Sequence, residues 1–207
     1  MKTYLWLAIF FTVLVWSAIH PKDYFTWLLE VAPALIGIVV LALTRKRFPL
    51  TPLAYVLILI HSIILMIGGH YTYAEVPIGQ WVSDLFGWSR NNYDKLGHLA
   101  QGFVPAILAR EVLIRNHVVN GRRWLDFLVV CFCLAFSAFY ELIEWWAALA
   151  SGESATAFLG MQGYQWDTQS DMWYALIGAV SALVLLSGLH DRQLARIDES
   201  METKTTS

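Results

Sequence analysis

The chain has 207 residues, 57% of them hydrophobic and 14% charged, with a formal net charge of −2. Soluble domains carry about 25% charged residues, so this composition excludes a water-soluble globule. It points to an all-α membrane protein, a polytopic bundle whose ten Trp, nine Tyr and eleven Phe suit a membrane–water boundary. The expected surroundings are the lipid bilayer, and no nucleic-acid partner is expected.

A hydrocarbon core of about 30 Å needs roughly 20 mostly apolar residues in helix. By that rule six transmembrane spans are expected, over residues 4–19, 24–43, 52–71, 96–114, 125–149 and 171–189. The first is short and follows Lys2, so a secretory signal competes with it. Its exit, "VWSAIHPKD", lacks the small-x-small pattern of a cleavage site, which favours a true span. Glu30 in the second span is ambiguous, and His61 and His70 in the third read as packing or interface residues. Pro105 should kink the fourth span and free a backbone carbonyl. Cys131 and Cys133 point to different sides of the fifth, facing lipid or core rather than a shared metal. Gly178 and Ala182 form a small-xxx-small pattern on the sixth, which permits close helix approach. Residues 1–191 thus form one six-span domain. Residues 192–207 form a polar cytoplasmic tail, with 195–207, "ARIDESMETKTTS", reading as disordered.

Basic residues set the orientation. Lys2, the Arg45–Arg47 cluster, Arg110, Arg115, Arg122, Arg123, Arg192, Arg196 and Lys204 fall on one side, 11 of the 14 Lys and Arg. Lys22, Arg90 and Lys95 fall on the other. The positive-inside rule then puts both termini in the cytoplasm.

Polar groups inside the spans concentrate at one level. "NNYDKLGHLAQG" opens the fourth span, and Asp94, His98 and Gln101 share one helical face with Lys95 beside it. "SAFYELIEWW" closes the fifth, with Glu141 and Glu144 on one face one to two turns below its outer end. Asp167 and Asp171 open the sixth. Three helices therefore place acids in the outer leaflet, where charge is normally turned inward, paired and functional. Five carboxylates against Lys95 and His98 cannot all be ionised in a low dielectric; protons or a bound cation must make up the difference.

Structural roles compete at each position. Asp94 could cap the fourth span, Lys95 could snorkel, and Asp167 and Asp171 suit the helix dipole. Glu141 and Glu144 could be charge partners of Lys95. As a site, the catalytic candidates are Glu141, Glu144 and His98. The binding candidates are Asp94, Lys95, Gln101, Gln165, Asp167 and Asp171. His98, Glu141, Glu144 and Asp171 are candidate ligands for a divalent cation, Mg²⁺, Mn²⁺ or Zn²⁺.

Three stretches carry a resemblance: "YDKLGHLAQGFVPAI" at 93–107, "SAFYELIEW" at 137–145 and "FLGMQGYQWDTQSDM" at 158–172. In these the chain resembles the YjdF family of bacterial inner-membrane proteins. The resemblance implies a multi-pass protein of the inner membrane and brings no activity with it. The Asp94-Lys95-x-x-His98 start, followed by a Glu and then an Asp on later helices, is also distantly similar to VanZ-like membrane proteins. Glu-x-x-Glu on the fifth span and the Gln- and Trp-rich loop depart from that pattern.

Three functions remain. The first is an outer-leaflet pocket that binds or processes an envelope lipid or small molecule, with metal-assisted hydrolysis as its enzymatic form. No H-E-x-x-H motif or nucleophile–base pair supports the enzymatic form. The second is a small transporter, disfavoured because the chain has no inverted repeat and its polar groups all sit in one leaflet. The third is a non-catalytic accessory or stress protein.

Overall fold

The computed structural model describes residues 3–151 and 162–205, and the described residues are helices joined by short turns. These are α1 (Thr3–Ala18), α2 (Tyr24–Thr44), α3 (Pro52–Tyr71), α4 (Pro77–Phe86), α5 (Tyr93–Arg115), α6 (Arg122–Ser151) and α7 (Asp167–Thr205), with a 3₁₀ turn at Tyr73–Glu75. Each apolar segment read from the sequence falls on a helix, the first five with nearly the same bounds and the last on a helix that runs well past residue 189. Four helices, α2, α3, α6 and α7, are long and apolar enough to cross a membrane. α1 is shorter, at 16 residues. α5 has the length, but Asp94, Lys95, Arg110, Glu111 and Arg115 make it more polar.

Local chemistry explains the boundaries. The Asp23 carboxylate accepts from Thr26 N and starts α2; Thr51 does the same for α3, ahead of Pro52 in its first turn. α4 is framed by Pro77 at its start and left-handed Gly87 at its end. It lies between the third and fourth expected spans. Ile78, Trp81 and Leu85 stand exposed along one side of it, the pattern of a helix lying on a bilayer surface. The expected disorder is corrected over 195–205: α7 stays helical to Thr205, in keeping with the strong helix formers Ala195, Arg196, Glu199, Met201 and Glu202 there; residues 206 and 207 lie outside the described residues.

The helices form two packed groups. Trp6, Phe10, Val31, Leu59 and Met66 join α1, α2 and α3. Leu57, Ile107, Val129, Cys133, Ala179 and Leu183 join α3 to α5, α6 and α7. The tightest seam is α5 against α7. A Cβ on Gly102 would stand 1.8 Å from Ala175 O, and one on Gly178 would stand 2.1 Å from Leu99 O. Here the small residues let two backbones touch, as the Gly178/Ala182 pattern predicts. Large apolar side chains on the outside of these helices, such as Leu43, Leu149 and Val184, are exposed. Cys131 is exposed and Cys133 buried, each free.

Cross-links define two ends. Arg45 bonds to Thr3, Arg115 to Pro49 O, Leu53 N to Gln193 and Arg122 to Ser187, so the basic loops gather at one end. Trp27 bonds to Ser17, Lys22 N to His70 O and Lys95 to Asp167 at the other. We call these the basic and acidic ends.

Candidate functional site

The α5–α7 seam builds the first half of the acidic end. Because the two backbones touch, Asp167 and Asp171 on α7 come against Lys95 on α5. Lys95 Nζ donates to Asp167 Oδ1 at 2.7 Å and Asp171 Oδ1 at 2.6 Å, with Asp94 Oδ2 at 3.4 Å. Arg90 adds a second cation, 2.8 Å from Asp167 Oδ1. The tyrosine ring of residue 164 lies over both cations, at 5.4 Å from Arg90 and 5.9 Å from Lys95. The reading of Lys95 as a snorkelling residue or as the partner of Glu141 and Glu144 is therefore corrected. Lys95 is buried and its partners are aspartates. Asp167 and Asp171 are ion-paired rather than merely dipole-oriented. Asp94 lies inside the first turn, and the cap position belongs to Asn92.

The second half centres on His98. Its Nδ1 lies 2.8 Å from Gln101 Oε1, and an amide oxygen can only accept, so Nδ1 carries the proton and donates it. Nε2 is left facing Asp94 Oδ1 at 3.4 Å, Glu141 Oε1 at 3.7 Å and Asp171 Oδ1 at 3.8 Å. The Asp94 contact is a long hydrogen bond, and the other two separations exceed hydrogen-bond length. Glu141 Oε1, Tyr140 OH and Ser137 Oγ are buried without a hydrogen-bond partner. A buried polar group without a partner normally costs about 1–3 kcal/mol, so each needs an explanation.

For Tyr140, a cavity of about 720 Å³ supplies one. α2 packs on α3, and α6 packs on α5 and α7, leaving a cleft between α2 and α6. Its polar end is lined by Glu30, Asp94, His98, Gln101, Tyr140 and Glu144. Tyr73 closes this end, its ring wedged between Gly68 and Gly97, where a Cβ would stand 2.5 and 2.8 Å from ring atoms. Burial keeps the Tyr73 phenol well above its ordinary range, so it stays a neutral donor. From there the cleft runs past Gly37, Val40, Leu108 and Phe136 to Thr44 and Asn116. Glu30 to Thr44 spans about 21 Å at roughly 1.5 Å per residue.

The cluster thus brings together Asp94, Lys95, His98, Gln101, Glu141, Glu144, Asp167 and Asp171. Gln165 stands apart, exposed on the turn before α7. Gln162 takes the structural part instead: its side chain bonds both N and O of Asn91, at 3.0 and 2.8 Å. Asn91 Oδ1 in turn accepts from Tyr93 N at the start of α5. Residues 158–161 of the third sequence stretch lie outside the described residues. Glu30 and His61 line the cleft from α2 and α3. A lone acid in the apolar run of α2 was the one sequence signal for Glu30.

A second polar network, absent from the sequence reading, lies at the basic end. Glu111 accepts from Thr51 N and Oγ, from Arg115 at 3.1 Å and from His190 Nε2 at 3.1 Å. His190 Nδ1 accepts from Arg110 NH1 at 3.0 Å. The expectation that all in-span polar groups lie at one level is therefore corrected.

With the geometry in place, comparisons assign the family. Residues 2–192 match the family described as Predicted membrane protein (DUF2238). The chain belongs to this family. It is 56% identical over 184 residues to Inner membrane protein YjdF of Escherichia coli (strain K12), covering 89% of this chain and 88% of that protein. The family and the apolar helices make it a multi-pass inner-membrane protein. No solved structure matches it. The distant similarity to VanZ-like proteins gains no support from these matches.

Proposed function

We propose that this protein binds an amphiphilic molecule of the bacterial envelope. The head group sits against His98, Tyr140 and Glu144, and the apolar chain lies along the cleft between α2 and α6. The observation that carries the reading is the continuity of that cleft. One cavity begins among acids, an imidazole and two tyrosines and continues for most of the length of α2 between apolar walls. Ligand sites are typically apolar cavities with a few convergent polar groups, and an amphiphile matches both parts at once. The ion-paired aspartates and Lys95 form the rigid wall of the head-group site. Asp94, Gln101 and Glu30 border it.

Gly37 offers a direct test. It lines the cleft, and a Cβ there meets nothing within 4 Å, so Gly37→Trp would fill the apolar channel from a position with room for it. Native mass spectrometry of detergent-purified protein should detect a bound amphiphile on the wild type and its loss from Gly37→Trp, with Tm retained. A wild type free of bound amphiphile, or one whose occupancy Gly37→Trp leaves unchanged, overturns the reading.

The same reading takes α1, α2, α3, α5, α6 and α7 as six spans, with both termini and the polar tail in the cytoplasm and the acidic end in the outer leaflet. The gathering of Arg45, Arg115 and Arg122 at one end supports this under the positive-inside rule. Alkaline phosphatase fused at the C-terminus should be inactive, whereas a fusion near residue 155 should be active. An active C-terminal fusion would reverse the orientation.

A further inference from the structure

We infer that His98 Nε2, Glu141 and Glu144 hold one divalent first-row transition-metal ion, of the Zn²⁺ or Mn²⁺ class, at the head of the cleft. Each offers one ligand atom, and the three atoms lie within 4.8 Å of one another. The set goes beyond the amphiphile reading and stands without it.

Three independent features point to a cation in this position. The first is distance. Nε2 lies 3.7 Å from Glu141 Oε1, too far for a hydrogen bond, and 3.4 Å from Asp94 Oδ1, a long one. Two ligands bonded at about 2.0–2.2 Å to one tetrahedral ion stand about 3.3–3.6 Å apart, close to both separations. The second is an orphan. Glu141 Oε1 belongs to a side chain only 8% exposed, has no hydrogen-bond partner and is aimed at Nε2. A buried carboxylate oxygen facing Nε2 needs a proton or a metal ion between them. The third is orientation: Gln101 holds the Nδ1 proton, which fixes the tautomer that leaves Nε2 free to ligate, as partners of metal-bound histidines do.

The neighbouring charges cannot substitute for the ion. Lys95 is already bonded to Asp167 and Asp171, and Arg90 to Asp167 through NH1, with its NH2 at 3.8 Å from Asp94 rather than from the glutamates. Asp171 Oδ1 accepts from Lys95 at 2.6 Å, so Asp171 falls outside the ligand set. Asp94 Oδ1 remains as a fourth oxygen at the edge. One imidazole with carboxylates suits Zn²⁺ or Mn²⁺ better than Ca²⁺ or Mg²⁺, which favour oxygen alone.

The test uses full-length protein in detergent, stripped with chelator and titrated with Mn²⁺ or Zn²⁺. Metal analysis should give one ion per chain, and the electron-spin-echo spectrum of bound Mn²⁺ should carry ¹⁴N modulation from His98. His98→Gln and Glu141→Gln should each weaken binding by at least about 100-fold and abolish the modulation in the His98 case. Gln101→Leu should weaken it by roughly 10–100-fold, the usual effect of losing the partner of a ligating histidine. Glu75→Gln, at an exposed ion pair with Lys22, should bind as wild type. If His98→Gln or Glu141→Gln aggregates, Glu144→Gln, at a half-buried position, takes its place with the same expected loss. A wild type that takes up neither ion stoichiometrically overturns the assignment, as does undiminished binding in the ligand variants. Neither result depends on Gly37→Trp, which reports on the amphiphile alone.

Discussion

Two buried polar networks sit at opposite ends of the same pair of helices, α5 and α7, and they are built differently. At the basic end, Glu111 Oε1 accepts two bonds and Oε2 three, from Thr51, Arg115 and His190, and His190 passes the contact on to Arg110. Arg110 Nε is the one side-chain atom of that group left without a partner. At the acidic end, Glu141, Tyr140 and Ser137 each leave an atom unpaired, and a cavity lined by Tyr140 opens at that end. A network that satisfies its own members acts as a clamp. One that leaves several unsatisfied while keeping them beside a cavity is arranged for something else to complete it. Within the acidic end the same division recurs on a smaller scale, between the ion-paired aspartates on α7 and the open glutamates on α6.

The contrast can be broken at its common support. Gly102→Val would drive a side chain into Ala175 O and separate α5 from α7, dissolving both networks at once. Of the substitutions considered, it should cost most, with the protein failing to accumulate as a monodisperse species on size exclusion. Stable Gly102→Val protein would show that the seam does not hold the two ends together.

A smaller effect is expected from Glu111→Gln. The amide keeps the shape but turns an acceptor toward a donor, stranding Arg115 or His190. Removing one member of a buried ion-paired group costs about 3–5 kcal/mol, which should appear as a clear fall in Tm. An unchanged Tm would remove the clamp from the comparison.

Glu141→Gln should have the least effect on stability. Lys95 is held by Asp167 and Asp171, so no buried cation is stranded. Replacing a buried acid with one unpaired oxygen by its neutral isostere is neutral or stabilising in sites that trade stability for function. Tm should hold or rise, whereas ligand binding at the cluster should be lost. A fall in Tm as large as that of Glu111→Gln would make the acidic end a second clamp.

Much of this was legible in the chain. Hydropathy over roughly 20 residues located the spans, because a bilayer core demands that length of apolar helix. Asp23, Thr51 and Pro52 then set starts that local hydrogen bonding alone dictates. Helical spacing put Asp94, His98 and Gln101 on one face and Glu141 and Glu144 on another, and both faces meet as the spacing implies. α4 was legible in principle: Pro77 and Gly87 mark its ends. Its mixed polarity, with Gln80, Ser83 and Asp84 among the aromatics, hides it from a search for apolar runs.

What escaped depends on packing between distant segments. Glu111 and His190 are 79 residues apart, and nothing near either one announces the other. Glu30 and His61 reach the head of the cleft because α2 stands off from α6, a gap no single helix encodes. Gln162 rather than Gln165 meets Asn91 because a turn selects one rotation of the chain. Helix position and facing therefore belonged to the sequence by itself, since both follow from local periodicity and the demands of the bilayer. Which acid finds a cation, which is left facing a cavity, and so which cluster clamps and which binds, was decided only when backbone contact at Gly102 and Gly178 fixed the helices against one another.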